Sequence, residues 1–149
     1  MFSLDYEGGK TARSSVSRVM RDDLTDGELA VLGRSEEVMI RAAVGERPLT
    51  PLTTLIVLAN DEAPWVRAAV ARNPRTDLPI EVREALAQDK SAEVLHALIQ
   101  CPAAPEKILA KLSRSWNRDV ASAAKERLKG IKTSGAVASA VGQVGFASS

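Results

Sequence analysis

Two arginines in the sequence stand in nearly identical surroundings, and their side-chain chemistry suits anion binding. Arg41 lies in the segment IRAAVGERP, and Arg67 lies in the later segment VRAAVARNP. A guanidinium group holds a carboxylate or a phosphate through two parallel hydrogen bonds. The two arginines could therefore form a ladder for an anionic ligand. Alternatively, each could cap a neighbouring helix end or pair with an acid in the next segment, which we favour because recurring positions mostly encode packing.

Further cationic residues could extend such a site toward nucleic acid. Four of them lie near the N-terminus with no acidic residue between them: Lys10, Arg13, Arg18 and Arg21. The same hypothesis uses four arginines from the middle of the chain: Arg41, Arg67, Arg72 and Arg75. Four charges release few counterions from a nucleic acid, and the chain as a whole carries a net charge of only +1. We therefore favour the solvated face of a helix for the N-terminal group.

The two tryptophans are the best candidates for contact with a partner. Trp65 and Trp116 both lie near the predicted starts of helices. Exposed tryptophans act as hot spots of protein interfaces or as platforms on which nucleic-acid bases stack. Buried tryptophans would instead fill grooves between helices. Both interpretations stay open at the level of sequence.

Other residues offer no pattern typical of catalysis or of metal binding. The chain has one histidine, His96, and one cysteine, Cys101. Neither an internal disulfide nor a cluster of His and Cys ligands can be built from them. Glycine loops that cradle phosphates are also missing from the sequence. We therefore expect a protein without enzymatic activity, cofactor or metal.

A repeated pattern indicates which elements position these residues. A similar apolar word recurs at four places, with spacings of 26, 28 and 26 residues: Ile40, Val66, Val94 and Val120. Fifteen residues earlier stand Thr25, Pro51, Pro79 and Pro105, and a leucine follows each of these by seven residues: Leu32, Leu58, Leu86 and Leu112. Apolar residues three and four apart share one face of a helix. Each unit therefore predicts two short helices, with a capping box at Thr25 and an N-cap at Thr50.

One such unit cannot bury its own apolar stripe, but stacked units can. The sequence thus predicts an all-α fold, a solenoid of four two-helix repeats near residues 25–50, 51–78, 79–104 and 105–130. Residues 1–24 would carry an N-terminal capping helix, and the last helix would cap the other end and stop at Gly130. Residues 131–149 are rich in Gly, Ala and Ser and predict a flexible tail, which could also mediate self-association.

The second unit resembles a known family of repeats. Residues 51–74 read PLTTLIVLANDEAPWVRAAVARNP and are similar to the leucine-rich repeat variant unit, P-x-x-x-L-x-x-L-A-x-D followed by V-R-x-A-V-A-x-N-P. The resemblance extends over about residues 25–128. It implies a HEAT-like, right-handed superhelix in which α-helices alternate with shorter and tighter helices. It also implies macromolecular binding as the general role, with no fixed activity.

The expected function is therefore non-catalytic binding of another protein. The candidate contact residues are Trp65, Trp116, Arg41, Arg67 and Arg72. The alternative is nucleic-acid binding through an arginine face that adds Arg13, Arg18, Arg21 and Arg75. The first residues, MFSLDYEGGK, lack the pattern of a secretory signal, and no long apolar run predicts a membrane span. We expect a bacterial-type, cytoplasmic protein.

Overall fold

A computed structural model of the protein describes residues 16–147, with side chains up to residue 134. This part of the chain is all-helical and has no strands, as the sequence predicts. A short helical stretch at residues 16–19 comes first. Eight helices then follow in chain order: α1 (Asp26–Leu32), α2 (Val38–Glu46), α3 (Leu52–Leu58), α4 (Pro64–Arg72), α5 (Ile80–Leu86), α6 (Ala92–Gln100), α7 (Glu106–Leu112) and α8 (Arg118–Ala147).

The odd-numbered helices begin where the sequence predicts. Thr25 and Glu28 form a capping box before α1, in which the Glu28 N–H donates to the Thr25 hydroxyl at 3.2 Å and the Thr25 N–H donates to the Glu28 carboxylate at 2.7 Å. The other three odd helices each follow a proline directly: Pro51, Pro79 and Pro105. A proline suits a helix start because the N–H that it lacks would have no partner inside the helix.

The prediction that Thr50 caps α3 is wrong. Pro51 occupies the N-cap position, and no side chain caps this helix. Thr50 is fully buried, and its hydroxyl donates to the Val44 carbonyl at 2.7 Å. A buried carbonyl near the end of a helix needs a donor, so the hydroxyl serves the end of α2 rather than the start of α3.

The even-numbered helices form the centre of the molecule. Helix α2 packs against α4, α4 against α6, and α6 against α8, while each odd helix contacts its neighbours in the chain. Val66, Val70, Val94 and Val120 at these contacts have no accessible surface, and Leu58 on α3 is almost as buried. Burying one such side chain contributes about 1.5–3 kcal/mol. The fold therefore depends on contacts between residues roughly one unit apart.

Small residues let these helices approach closely. A Cβ atom added to Gly45 on α2 would lie 3.2 Å from Val70 Cγ2 and 3.4 Å from the Ala69 Cβ on α4. Ala69 and Ala71 are themselves fully buried. Because interiors pack without space for an extra methyl group, glycine and alanine at these positions set the distance between neighbouring helices.

Two further expectations differ from the structure. The resemblance implied alternation with tighter helices, but both helix types are α-helices throughout the described chain, with seven residues in α1, α3, α5 and α7 and nine in α2, α4 and α6. The last helix also continues past Gly130 to Ala147. No described glycine has a positive φ, so Gly130 is not the left-handed residue that ends many helices. Flexibility of residues 131–149 stays a prediction.

The predicted N-terminal capping helix falls partly on residues before position 16, which lie outside the described part of the chain. Residues 16–19 are helical, and Val19 is fully buried. The Val19 carbonyl accepts a hydrogen bond of 2.6 Å from the buried guanidinium of Arg47, at the end of α2. This contact fixes the N-terminal stretch on the first helix pair.

Candidate functional site

The first candidate residue, Arg41, forms an ion pair with the next unit of the chain. Its Nε lies 2.8 Å from Asp61 Oδ2, its Nη2 lies 3.1 Å from Asp61 Oδ1, and both side chains are about nine-tenths buried. Arg41 Nη1 also donates to the Ser35 and Glu36 carbonyls, at 2.8 and 3.1 Å. The arginine thus connects the loop that precedes its own helix to the loop that precedes α4.

Arg67 repeats this arrangement one unit later. Its Nε and Nη2 lie 2.7 and 3.1 Å from the two carboxylate oxygens of Asp89. Its Nη1 donates to the Asp61 and Glu62 carbonyls, at 2.8 and 3.2 Å. The interpretation in which each arginine pairs with an acid one unit away is therefore confirmed for both residues.

The acidic partners occupy a recurring position of their own. Asp61 accepts the Ala63 N–H at 2.9 Å, and Asp89 accepts the Ser91 N–H at 2.9 Å. At the same place in the first and last units a serine hydroxyl accepts the equivalent backbone N–H: Ser35 and Ser115. Leu95 replaces the arginine in the third unit, and the next unit has Ser115 in place of the aspartate. Charge is thus present or missing at both positions together.

These pairs shift the ionisation of both partners. Burial raises the pKa of the Asp61 carboxyl, but the hydrogen bonds from Arg41 and from the Ala63 N–H lower it by more, so it lies below its ordinary value. The pKa of Asp89 is lowered in the same way by Arg67 and the Ser91 N–H, against the effect of burial. The hydrogen bond to Asp61 raises the pKa of Arg41. Both carboxylates are therefore charged at neutral pH and are not suited to proton transfer.

The remaining arginines of the predicted set are mostly paired as well. Arg72 Nε lies 3.1 Å from Glu46 Oε1, and the guanidinium of Arg75 binds the Asp77 carboxylate and the Thr50 carbonyl. Arg21 is paired with Asp23 on the surface. Arg18 is exposed, and Arg13 lies outside the described residues. Where it is described, the predicted arginine face is thus largely neutralised by carboxylates.

Both tryptophans are exposed and do not fill grooves between helices, while their role in binding stays a prediction. Trp65, in the first turn of α4, is 47% exposed, and Trp116, in the loop before α8, is 89% exposed. They do not occupy equivalent positions, because Trp65 precedes Val66 directly and Trp116 precedes Val120 by four residues. The two tryptophans therefore do not form a row of equivalent side chains on successive helices.

A second exposed apolar residue, at the position equivalent to Trp65, was not singled out from the sequence. Met39 on α2 lies 26 residues before Trp65 and is half exposed. The ion pair between Arg72 and Glu46, also 26 residues apart, connects the same two helices in this register. The signal was present in the sequence, because Met39 precedes Ile40 as Trp65 precedes Val66.

His96 and Cys101 both lie on or at the end of α6, and Cys101 is hydrogen-bonded to the backbone of the preceding helix pair. His96 is half-buried on α6. Cys101 is buried at the end of α6, where its thiol donates to the Asn73 carbonyl at 3.2 Å and accepts from Arg83 Nη1 at 3.4 Å. Asn73 takes the same place at the end of α4 and donates to the Gly45 carbonyl at 2.8 Å. These polar groups satisfy helix ends, in a second line of contacts between successive units.

Comparisons of the chain with models of known families, with curated proteins and with solved structures found no match. Within residues 16–134, no cluster of three or more His, Cys, Asp or Glu side chains could hold a metal ion. Among the described helices, none combines the length and the apolar character that crossing a bilayer requires.

Proposed function

We propose that the chain is a non-catalytic helical-repeat module that binds another protein. In this proposal the helix pairs are four repeats of a right-handed solenoid, near residues 25–50, 51–78, 79–104 and 105–130, akin to the leucine-rich repeat variant family. The Arg–Asp pairs and the contacts of Asn73 and Cys101 support it, since each connects residues 20–28 positions apart. Such a stack presents the same side-chain position from successive helices on one surface.

The observation that carries the proposal is the exposed apolar patch of α2 and α4. Met39 is 50% exposed and Trp65 is 47% exposed at equivalent positions, and Val38 and Pro64 beside them are exposed too. Tryptophan and methionine are enriched in protein interfaces, where a few apolar anchors supply most of the binding energy. We call the surface formed by Val38, Met39, Pro64 and Trp65 the Met39–Trp65 patch.

Affinity capture tests this proposal. The wild type, the double variant Met39→Ala/Trp65→Ala and the control Val31→Ala/Val57→Ala, which shortens two exposed valines on α1 and α3, are used as baits in a nuclease-treated lysate of the native cells. We expect the wild type and the control to capture a protein that the double variant recovers in an amount about tenfold lower or less, as for the loss of a hot spot. Equal recovery by all three baits would contradict a role for the patch.

The arginine-face alternative has less support. Arg21, Arg41, Arg67, Arg72 and Arg75 are all paired with carboxylates. A phosphate would have to displace those partners, and for Arg41 and Arg67 it would leave a carboxylate unpaired in a mostly buried position. We therefore place protein binding first for this part of the chain, and propose a cytoplasmic location with it.

A further inference from the structure

The exposed side of α8 carries a row of cations that the sequence analysis did not single out. Arg118, Lys125, Lys129 and Lys132 are all exposed. At 100° per residue they fall within an arc of about 60°, and at 1.5 Å per residue the row is about 21 Å long. We call these four residues the basic row.

The opposite side of α8 is buried, and this burial keeps the basic row on the surface. Val120 and Ala124 on that side are fully buried, and Ile131 packs against the core. The helix cannot rotate without exposing these residues. The position of the cations is therefore fixed by the packing of α8 against α6 and α7.

The charge around the row has one dominant sign. Residues 101–149 contain eight Lys and Arg residues but three acids, Glu106, Asp119 and Glu126. Lys129 lies 3.2 Å from Glu126, with both side chains at least 70% exposed. In the described part of the chain, the other three cations of the row are in no ion pair.

A shallow groove follows the row. Its first part is lined by Arg114, Arg118 and Lys125 together with Ser113, Ser115, Ala121 and Ser122. Its second part continues past Ser122 and Lys125, and is lined further by Glu126, Leu128, Lys129 and Lys132. The two parts share residues and so form one path along the helix. Trp116 lies between Ser115 and Arg118 in sequence and is 89% exposed.

We propose that this groove binds single-stranded nucleic acid, with the basic row and Arg114 on the phosphates and Trp116 stacked on a base. A positively charged groove with an exposed aromatic ring is how proteins bind single strands without reading sequence. An acidic protein partner fits less well, because interface cores are poor in lysine and need apolar contacts. The groove is lined by the basic row, Arg114 and three serines, with Ala121, Glu126 and Leu128 among them. If this helix only capped the end of the molecule, its exposed face would need to be polar. That requirement would not explain why almost all of the charges there are positive.

The test uses a fluorescent 12-nucleotide single strand and the full chain. The variant Lys125→Gln/Lys129→Gln/Lys132→Gln is compared with the control Arg18→Gln/Arg34→Gln/Lys90→Gln, which removes the same charge from exposed positions elsewhere. For five phosphate contacts, the slope of log affinity against log salt is about −3.5. We expect the row variant to make this slope shallower by about two and to weaken binding at least tenfold at low salt. The control should retain most of the affinity.

Trp116 is tested separately. Trp116→Ala should weaken binding about five- to 150-fold without changing the salt slope, since stacking involves no counterion release. In a Trp65→Phe background Trp116 is the only tryptophan, and its fluorescence should be quenched by the oligonucleotide.

Three results would overturn the inference. The first is the absence of binding at low salt, and the second is equal weakening by the row variant and the control. The third is that polyglutamate binds as tightly as the oligonucleotide and that Trp116→Ala has no effect. Equal affinity for a duplex would also contradict it, because bases in a duplex are not free to stack on Trp116. None of these results depends on the Met39–Trp65 patch, so the protein-binding proposal stands or falls by its own experiment.

Discussion

At the scale of single residues, the pair Arg41–Asp61 connects the first unit to the second, and the pair Arg67–Asp89 connects the second unit to the third. Each arginine satisfies two loop carbonyls and one carboxylate, and each aspartate also accepts a backbone N–H. A buried charge that loses its partner is costly, whereas an exposed ion pair contributes little. The pairs that matter are therefore these two, and not the exposed pair of Arg21 and Asp23.

Arg41→Ala should lower the free energy of unfolding by about 2–4 kcal/mol, because it leaves Asp61 mostly buried and unpaired. Urea unfolding followed by circular dichroism measures this change. Arg34→Ala, at an exposed loop position in the same helix pair, should change the free energy by no more than about 0.5 kcal/mol. The double variant Arg41→Ala/Asp61→Ala should lower the free energy of unfolding by less than the sum of the two single variants. Equal effects of Arg41→Ala and Arg34→Ala would show that the pair does not hold the units together.

The sequence could anticipate these residues only in part. The recurrence of Arg41 and Arg67 indicated an acid one unit away, but not which of several acids would pair. Asp61 and Asp89 could have been selected because each stands two residues before an N-cap position, where a carboxylate can also accept a backbone N–H. The exposure of Trp65 and Trp116 could not be decided from sequence, since it depends on how far neighbouring helices extend.

At the scale of elements, the helix starts were predictable and one helix end was not. Prolines and the Thr25 capping box mark starts through local chemistry that needs no tertiary contact. Gly130 predicted an end because glycine often adopts the left-handed conformation there. In α8 it takes an ordinary helical conformation instead, and Leu128 and Ile131 on either side of it pack against the core. Tertiary packing thus outweighs the low helix propensity of one glycine.

Gly130→Ala should therefore stabilise the protein by about 0.5–1 kcal/mol, because alanine is the better helix former and a Cβ there meets nothing within 4 Å. Thermal unfolding measures the shift. Gly45→Ala is the contrasting change, and it should stabilise less than Gly130→Ala, because its Cβ would lie 3.2 Å from Val70 Cγ2 and that side chain would have to move. A destabilising Gly130→Ala would indicate that the helix ends at residue 130, as the sequence alone suggested.

At the scale of the whole molecule, two surfaces of different chemistry lie at different places along the chain. The Met39–Trp65 patch belongs to the first two helix pairs and is apolar, whereas the basic row belongs to the last helix and is cationic. The net charge of +1 conceals this division. A charge count by segment, combined with the spacing of Arg118, Lys125, Lys129 and Lys132, would have indicated the basic row from the sequence.

The all-helical fold could be predicted because the pattern of apolar residues repeats with the chain. Each unit exposes an apolar stripe that only its neighbours can cover, which makes contacts between residues 26–28 apart necessary. The partners of the two surfaces could not be predicted in the same way, since exposed residues have no such constraint from packing.

The central claim is that successive units contact one another through their even-numbered helices. The most direct test is nuclear Overhauser spectroscopy on the uniformly isotope-labelled, fully protonated protein. We expect a strong effect between the Gly45 α-protons and the Val70 methyl groups, and others between the side chains of Asn73 and Cys101 and the unit before each of them. The contradicting result is a helical protein without Overhauser effects between residues 25–28 apart. Effects found only between helices that do not contact one another in the structure would contradict the claim as well.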